Sequence, residues 1–244
     1  MKKTTVFIIA LFLATAVSHA QWGNGKKIKG NGSVTTITRT TSDYDAVSVS
    51  GFFDVELVSG TEGKITLEGE SNLLEYIETE VDGDKLKIST KKGYNLKVSN
   101  GKKLVITVPF KDISSVALAG SGDVYTKNAT VRANKFKMAL TGSGDIIIDV
   151  DTNDLTMAVS GSGDMTATGK ADTAKIKLAG SGDINAYKLI AKSADVSLAG
   201  SGDIKLYVEN DLRARVAGSG DITYKGRPSK EDTKVAGSGS ISMN

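Results

Sequence analysis

Six aspartates recur at Asp123, Asp145, Asp164, Asp183, Asp203 and Asp221, each after a Gly-Ser-Gly triplet and before an apolar residue. Their separations of 22, 19, 19, 20 and 18 residues point to one carboxylate per structural unit. Two chemistries use carboxylates presented in this way. A pair roughly 5 Å apart has the spacing of a retaining glycosidase. Hard cations take carboxylate oxygens, and Gly- and Asp-rich coils bind calcium. Repetition argues against catalysis, because a catalytic pair is a departure from its scaffold whereas these aspartates are the scaffold's own rule. Turn formation needs no ion at all: two glycines in three residues permit positive φ, and Ser and Asp can bond the turn's own backbone. The expectation is therefore no catalytic residue and no metal, with the same six aspartates as the calcium candidates should an ion bind.

The elements that position these carboxylates are legible from the repeat. Leu118-Ala-Gly-Ser-Gly-Asp123-Val recurs with Leu140, Val159, Leu178, Leu198 and Val216 at its first position, and a seventh copy, Val235-Ala-Gly-Ser-Gly-Ser240-Ile, follows. Apolar and polar residues alternate on both sides of each turn, the period of a half-buried strand. Leu118, Leu140, Val159, Leu178, Leu198, Val216 and Val235 form one inward column, and Val124, Ile146, Met165, Ile184, Ile204, Ile222 and Ile241 form another. A unit of this size cannot bury its apolar face alone, so the units must stack. The fold class expected is all-β: a right-handed β-solenoid, a single-stranded β-helix with coils of about 19 residues, preceded by an irregular N-terminal β region.

Stacking places the aspartates roughly 5 Å apart along one edge, where like charges repel. Backbone N–H groups, bound calcium, or the outward cations Lys137, Lys175, Lys177, Arg213, Arg215 and Lys234 are the available compensation. Lys175, Lys177, Arg213 and Arg215 are also candidates for surface binding. So are Tyr187 and Tyr207, each four residues after a turn aspartate, which a regular coil would stack into an aromatic ladder.

Lys2 and Lys3 precede an apolar run from Val6 to Val17, and Ser18-His19-Ala20 places small residues where a signal peptidase reads. Residues 1–20 read as a signal peptide with cleavage after Ala20. The run is too short to remain as a membrane span. Cleavage removes two lysines and the only histidine, so the formal charge falls from +3 to +1, and the chain has no cysteine. The commonest general base, the commonest zinc ligands and any thiol nucleophile go together. A near-neutral chain also offers no electrostatic case for nucleic acid.

Residues 21–32 read as a flexible lead-in and 33–112 as an irregular β region packing on a solenoid of residues 113–244. Within 33–112, Asn100-Gly101 and Asp82-Gly83 are hairpin signals, and Ser71-Asn-Leu-Leu-Glu-Tyr-Ile-Glu reads as one short helix.

The order Ser50-Gly-Phe-Phe-Asp-Val-Glu-Leu, Ser71-Asn-Leu-Leu-Glu-Tyr-Ile, Gly83-Asp-Lys-Leu-Lys-Ile and serial Gly-Ser-Gly-Asp turns resembles the bacterial head GIN domain family. The resemblance implies an exported β-helix-like fold, and the family carries an auto-transporter adhesin label without an assigned biochemical activity. The function expected is an exported, non-catalytic binding or structural module without cofactor. Its setting would be the periplasm, the outer-membrane surface or the extracellular space, and its partner an envelope or surface protein or glycan. A polysaccharide-active β-helix enzyme and a calcium-dependent binding module are the alternatives.

Overall fold

The computed structural model of the protein describes residues 25–244. The signal peptide expected at residues 1–20 lies outside the described residues. Strand β1 (Lys26–Lys29) opens the description, so this part of the expected lead-in is ordered. It is followed by β2 (Val34–Thr40), β3 (Ala46–Gly51), β4 (Asp54–Ser59) and β5 (Lys64–Glu70). One helical turn, α1 (Ser71–Leu74), leads into β6 (Ile77–Asp82), β7 (Lys85–Thr90), β8 (Tyr94–Lys97) and β9 (Val105–Phe110). The coils continue as β10 (Ser115–Gly120), β11 (Val124–Thr126), β12 (Val131–Gly142), β13 (Ile146–Gly161) and β14 (Met165–Gly180). They end with β15 (Ile184–Gly200), β16 (Ile204–Gly218), β17 (Ile222–Lys225), β18 (Lys230–Gly237) and β19 (Ile241–Met243).

From β10 onward every pairing is parallel and joins one coil to the next, which is the β-solenoid that the repeat predicts. The two inward columns align residue by residue: Leu140, Val159, Leu178, Leu198 and Val216 are in register, as are Ile146, Met165, Ile184 and Ile204. All are at most 3% exposed. A face that alternates with period two is buried here because the next coil covers its edge and the opposite wall of the same coil covers its side chains.

The irregular region is a mixed sheet built onto the first coil. In space β3 lies between β7 and β10, and β4 between β9 and β11, all parallel. Strand β5 pairs antiparallel with both β2 and β9. The Asp82-Gly83 hairpin forms, joining β6 and β7, with Gly83 at φ +63°. The Asn100-Gly101 signal corresponds to a turn, with the Lys102 N–H donating to the Ser99 carbonyl. Its flanking strands do not pair with each other: β8 pairs with β1, and β9 with β4 and β5. Tertiary partners outcompete the local hairpin because they bury Ile106 and Val108 in the core.

One buried carboxylate ties this region together. Glu70 has no exposed surface, and its oxygens accept the backbone N–H groups of Gly32 and Ser99 and the Ser99 hydroxyl. The Ser99 hydroxyl bond is the main reason that the Glu70 carboxyl sits below its ordinary pKa, against the opposing effect of burial. Its stabilisation is present above the ordinary glutamate range and is lost as pH falls through the lower folded value. Glu70→Gln should cost about 1–3 kcal/mol at neutral pH. Thermal melts of both proteins from about pH 7 to about pH 3 should show that gap closing on acidification.

Candidate functional site

In each turn the chain crosses from one wall of the coil to the next over the turn below. The N–H groups of Ser181 and Gly182 both point to the Gly161 carbonyl, at 2.9 and 3.3 Å. The Asp183 N–H donates to Oδ1 of Asp164 at 2.8 Å. The same bond recurs from Asp145 to Asp123 (3.1 Å), Asp164 to Asp145 (3.1 Å), Asp203 to Asp183 (2.8 Å) and Asp221 to Asp203 (3.0 Å). It ends at Ser240, whose N–H and hydroxyl both donate to Asp221 Oδ1. The aspartates thus bond the backbone of the neighbouring turn, where the sequence suggested their own.

The ladder also begins one coil earlier than the repeat indicates. Gly51-Phe52-Phe53-Asp54 lies in register with Gly120-Ser121-Gly122-Asp123, and the Asp123 N–H donates to Asp54 Oδ1 at 3.3 Å. Two phenylalanines in place of Ser and Gly hide this rung in the sequence. The signal that remains is a Gly followed three residues later by Asp and an inward Val.

Backbone N–H groups therefore supply the compensation that a row of carboxylates needs. Among the described residues one cation reaches the row, Lys103 at 3.5 Å from Asp54 Oδ2. Lys137, Lys175, Lys177, Arg213, Arg215 and Lys234 stand on the wall before the turn and form no ion pair with the ladder. Burial raises the Asp123 carboxyl above its ordinary pKa, and the charges of Asp54 and Asp145 add to this. The bond from Asp145 and the charge of Lys103 oppose it. No group of three or more His, Cys, Asp or Glu is arranged to hold a metal among the described residues.

The cation candidates fall into two columns. Lys137, Thr156, Lys175, Asp195, Arg213 and Asp232 are in register, so the charge alternates over the last four coils. Two residues on, Lys177, Ser197, Arg215 and Lys234 form a basic column. Arg215 bonds the carboxylate and the carbonyl of Asp232, and Arg213 lies 3.8 Å from the same carboxylate. Two shallow grooves run along this wall. One is lined by Ala174, Ala194 and Leu212, the other by Ala179, Ala199 and Ala217 beside Lys177, Arg215 and Lys234.

The tyrosine ladder does not form. A register shift between Ala186 and Ile190 sets Ile190 opposite Tyr207 and bulges Tyr187 out of the column. Tyr187 instead lies under Lys225, whose Nζ is 4.5 Å from the ring centre. Three residues of β15, Tyr187, Lys188 and Leu189, fall between the partners of Leu206 and Tyr207, which spacing from the turn alone does not reveal, and they account for the difference.

Ladder replacements separate the turn and calcium readings. Asp183→Ala should cost about 1–3 kcal/mol, the range for a hydrogen bond to a charged group, whereas Asp183→Asn keeps an acceptor, removes a like charge and should cost less. Adding calcium or a chelator should leave the melting temperature of the native chain unchanged. A calcium-dependent rise that disappears in the Asp183→Asn, Asp203→Asn double variant would reverse this reading.

No curated protein matches the chain in sequence. Solved structures do. A "putative adhesin" from Bacteroides fragilis is 25% identical with a TM-score of 0.83, covering 89% of this chain and 100% of that one. A "putative lipid binding protein" from Parabacteroides distasonis is 28% identical with a TM-score of 0.72, covering 90% and 100%. A "putative adhesin" from Parabacteroides merdae, 20% identical with a TM-score of 0.67 over 90% and 99%, shares the fold. The family model described as "Putative auto-transporter adhesin, head GIN domain" matches residues 43–228, a span that runs from the hidden Phe-Phe rung through the turn at Asp221. The chain belongs to the head GIN domain family.

Proposed function

We propose that this chain is an exported, non-catalytic binding module of the cell envelope or surface, adhesin-like, with a surface protein or glycan as its partner. The observation that carries the reading is the ladder itself: its aspartates, the residues best suited to chemistry, are engaged in holding one coil to the next. What is left for contact is the long wall on which Lys175, Lys177, Arg213 and Arg215 stand at coil spacing. The adhesin naming of the family points the same way.

Binding of the purified chain to immobilised envelope polysaccharides and surface proteins, with a reducing-end assay on the same polysaccharides, tests the reading. Saturable, salt-sensitive binding without new reducing ends is expected, weakened by replacing Lys177 and Arg215. Polysaccharide cleavage that Asp183→Asn abolishes would establish the enzyme alternative instead. Export is checked by mass spectrometry of the chain from the native cell, where an N-terminus at Gln21 is expected.

A further inference from the structure

The turn at Phe52 is the one rung that breaks the rule. Ser121, Ser143, Ser162, Ser181, Ser201, Ser219 and Ser238 occupy the position that Phe52 holds. Phe53, in the place of the second glycine, is 1% exposed, so it turns inward, while Phe52 is half-buried and borders a concavity. The two rings meet edge to face, with centroids 5.9 Å apart and planes at 69°, which fixes the pose of the outer ring. Across the concavity stands Tyr94 on β8. Its ring packs at 4.5 Å and 42° on Tyr76, just after α1. Each ring is thus backed by a second aromatic ring, Phe52 in the turn between β3 and β4 and Tyr94 on β8, the arrangement of a site shaped before its ligand arrives.

The rest of the lining is Gly25, Thr90, Gly93, Asn95 and Leu96, around a volume of about 280 Å³. Small-molecule sites run from roughly 300 Å³ upward, so this one holds a single ring rather than a polymer segment. Among the described residues the Thr90 hydroxyl, the Asn95 amide and the Tyr94 hydroxyl have no protein hydrogen-bond partner. An aliphatic guest would cover polar groups without pairing them, which is costly. A pyranose satisfies both parts of the lining. Its axial C–H face carries partial positive charge for the negative face of an aromatic ring, and its hydroxyls reach the amide and hydroxyls at the rim.

We infer that Phe52 and Tyr94 form a subsite for one pyranose ring of a surface glycan, with Thr90 and Asn95 as its polar contacts. This rests on the binding-module reading above and gives that module a glycan as its ligand class.

Saturation-transfer NMR with the full chain and the methyl pyranosides of glucose, galactose, mannose and N-acetylglucosamine is the test. Transfer to the ring protons of at least one glycoside is expected. Phe52→Ser, which restores the residue of every other turn, should weaken it between about two- and tenfold, the range for one lost ring contact. Tyr94→Ala should do the same and serves if Phe52→Ser loses its cooperative melt. No transfer to any glycoside, equal transfer to hexanol, or transfer unchanged in the folded variants overturns the inference. If envelope polymers still bind in those cases, the module reading stands and only this subsite falls.

Discussion

Gly182→Val is expected to lose more than about 4 kcal/mol, while Ser181→Ala at the neighbouring position changes stability by no more than about 0.5 kcal/mol. A Cβ on Gly182 would lie 2.0 Å from the Gly163 carbonyl oxygen of the coil below, and that oxygen belongs to a turn held by the Gly163 N–H bond to the Gly142 carbonyl and by the parallel pairing of the flanking Gly161 and Met165. Neither coil can shift without breaking the hydrogen bonds of its turn. Ser181 is exposed, and its side chain has no protein partner among the described residues. The first glycine of the turn, Gly180, adds a second obstacle, because its φ of +139° is a conformation that L side chains rarely adopt. Urea unfolding of the three proteins, read by circular dichroism, measures the difference. A Gly182→Val protein within about 1 kcal/mol of the native chain would mean that adjacent turns are not in backbone contact.

Ile184→Ala and Leu178→Ala should each cost about 2–5 kcal/mol, the range for truncating a fully buried aliphatic side chain. Both residues are at most 2% exposed, and their columns continue above and below, so a cavity at either position is walled on all sides. The equivalent truncation at Val235, which is 41% exposed, should cost far less, because water already reaches the site. Chemical denaturation of the three variants checks both the magnitude and the contrast. A loss below about 0.5 kcal/mol at Ile184 or Leu178 would say that these residues face outward.

The solenoid was legible in the sequence because each coil solves the same problem with the same residues. Alternation assigned the inward columns from Leu118 and Val124 onward, and register and burial bear them out as far as Val216 and Ile222, whereas Val235 in the last coil is exposed and Ile241 only partly buried. The glycines were legible as turn formers, but only half of the reason was. Positive φ belongs to the first of each pair, whereas the close approach of the coil beneath requires both, and nothing local to the turn announces that neighbour.

Where neighbours in space decide, reading along the chain missed the outcome. Asn100-Gly101 makes its turn, yet β8 and β9 find partners more than thirty residues away. Tyr187 and Tyr207 share a spacing from the turn but not a register, since one bulge separates them. The candidate site shows the same division. The recurrence of Asp123, Asp145, Asp164, Asp183, Asp203 and Asp221 was evident, but the N–H groups that engage them come from the next coil. The concavity that Phe52 and Tyr94 both line joins a turn and a strand whose residues lie 42 positions apart. Sequence by itself determined the period and most of the inward faces, because these depend on residue type and local alternation. Tertiary structure decided which carboxylates are occupied and which aromatics converge, because both depend on backbone groups and side chains that only the stacking of coils brings within hydrogen-bond or van der Waals reach.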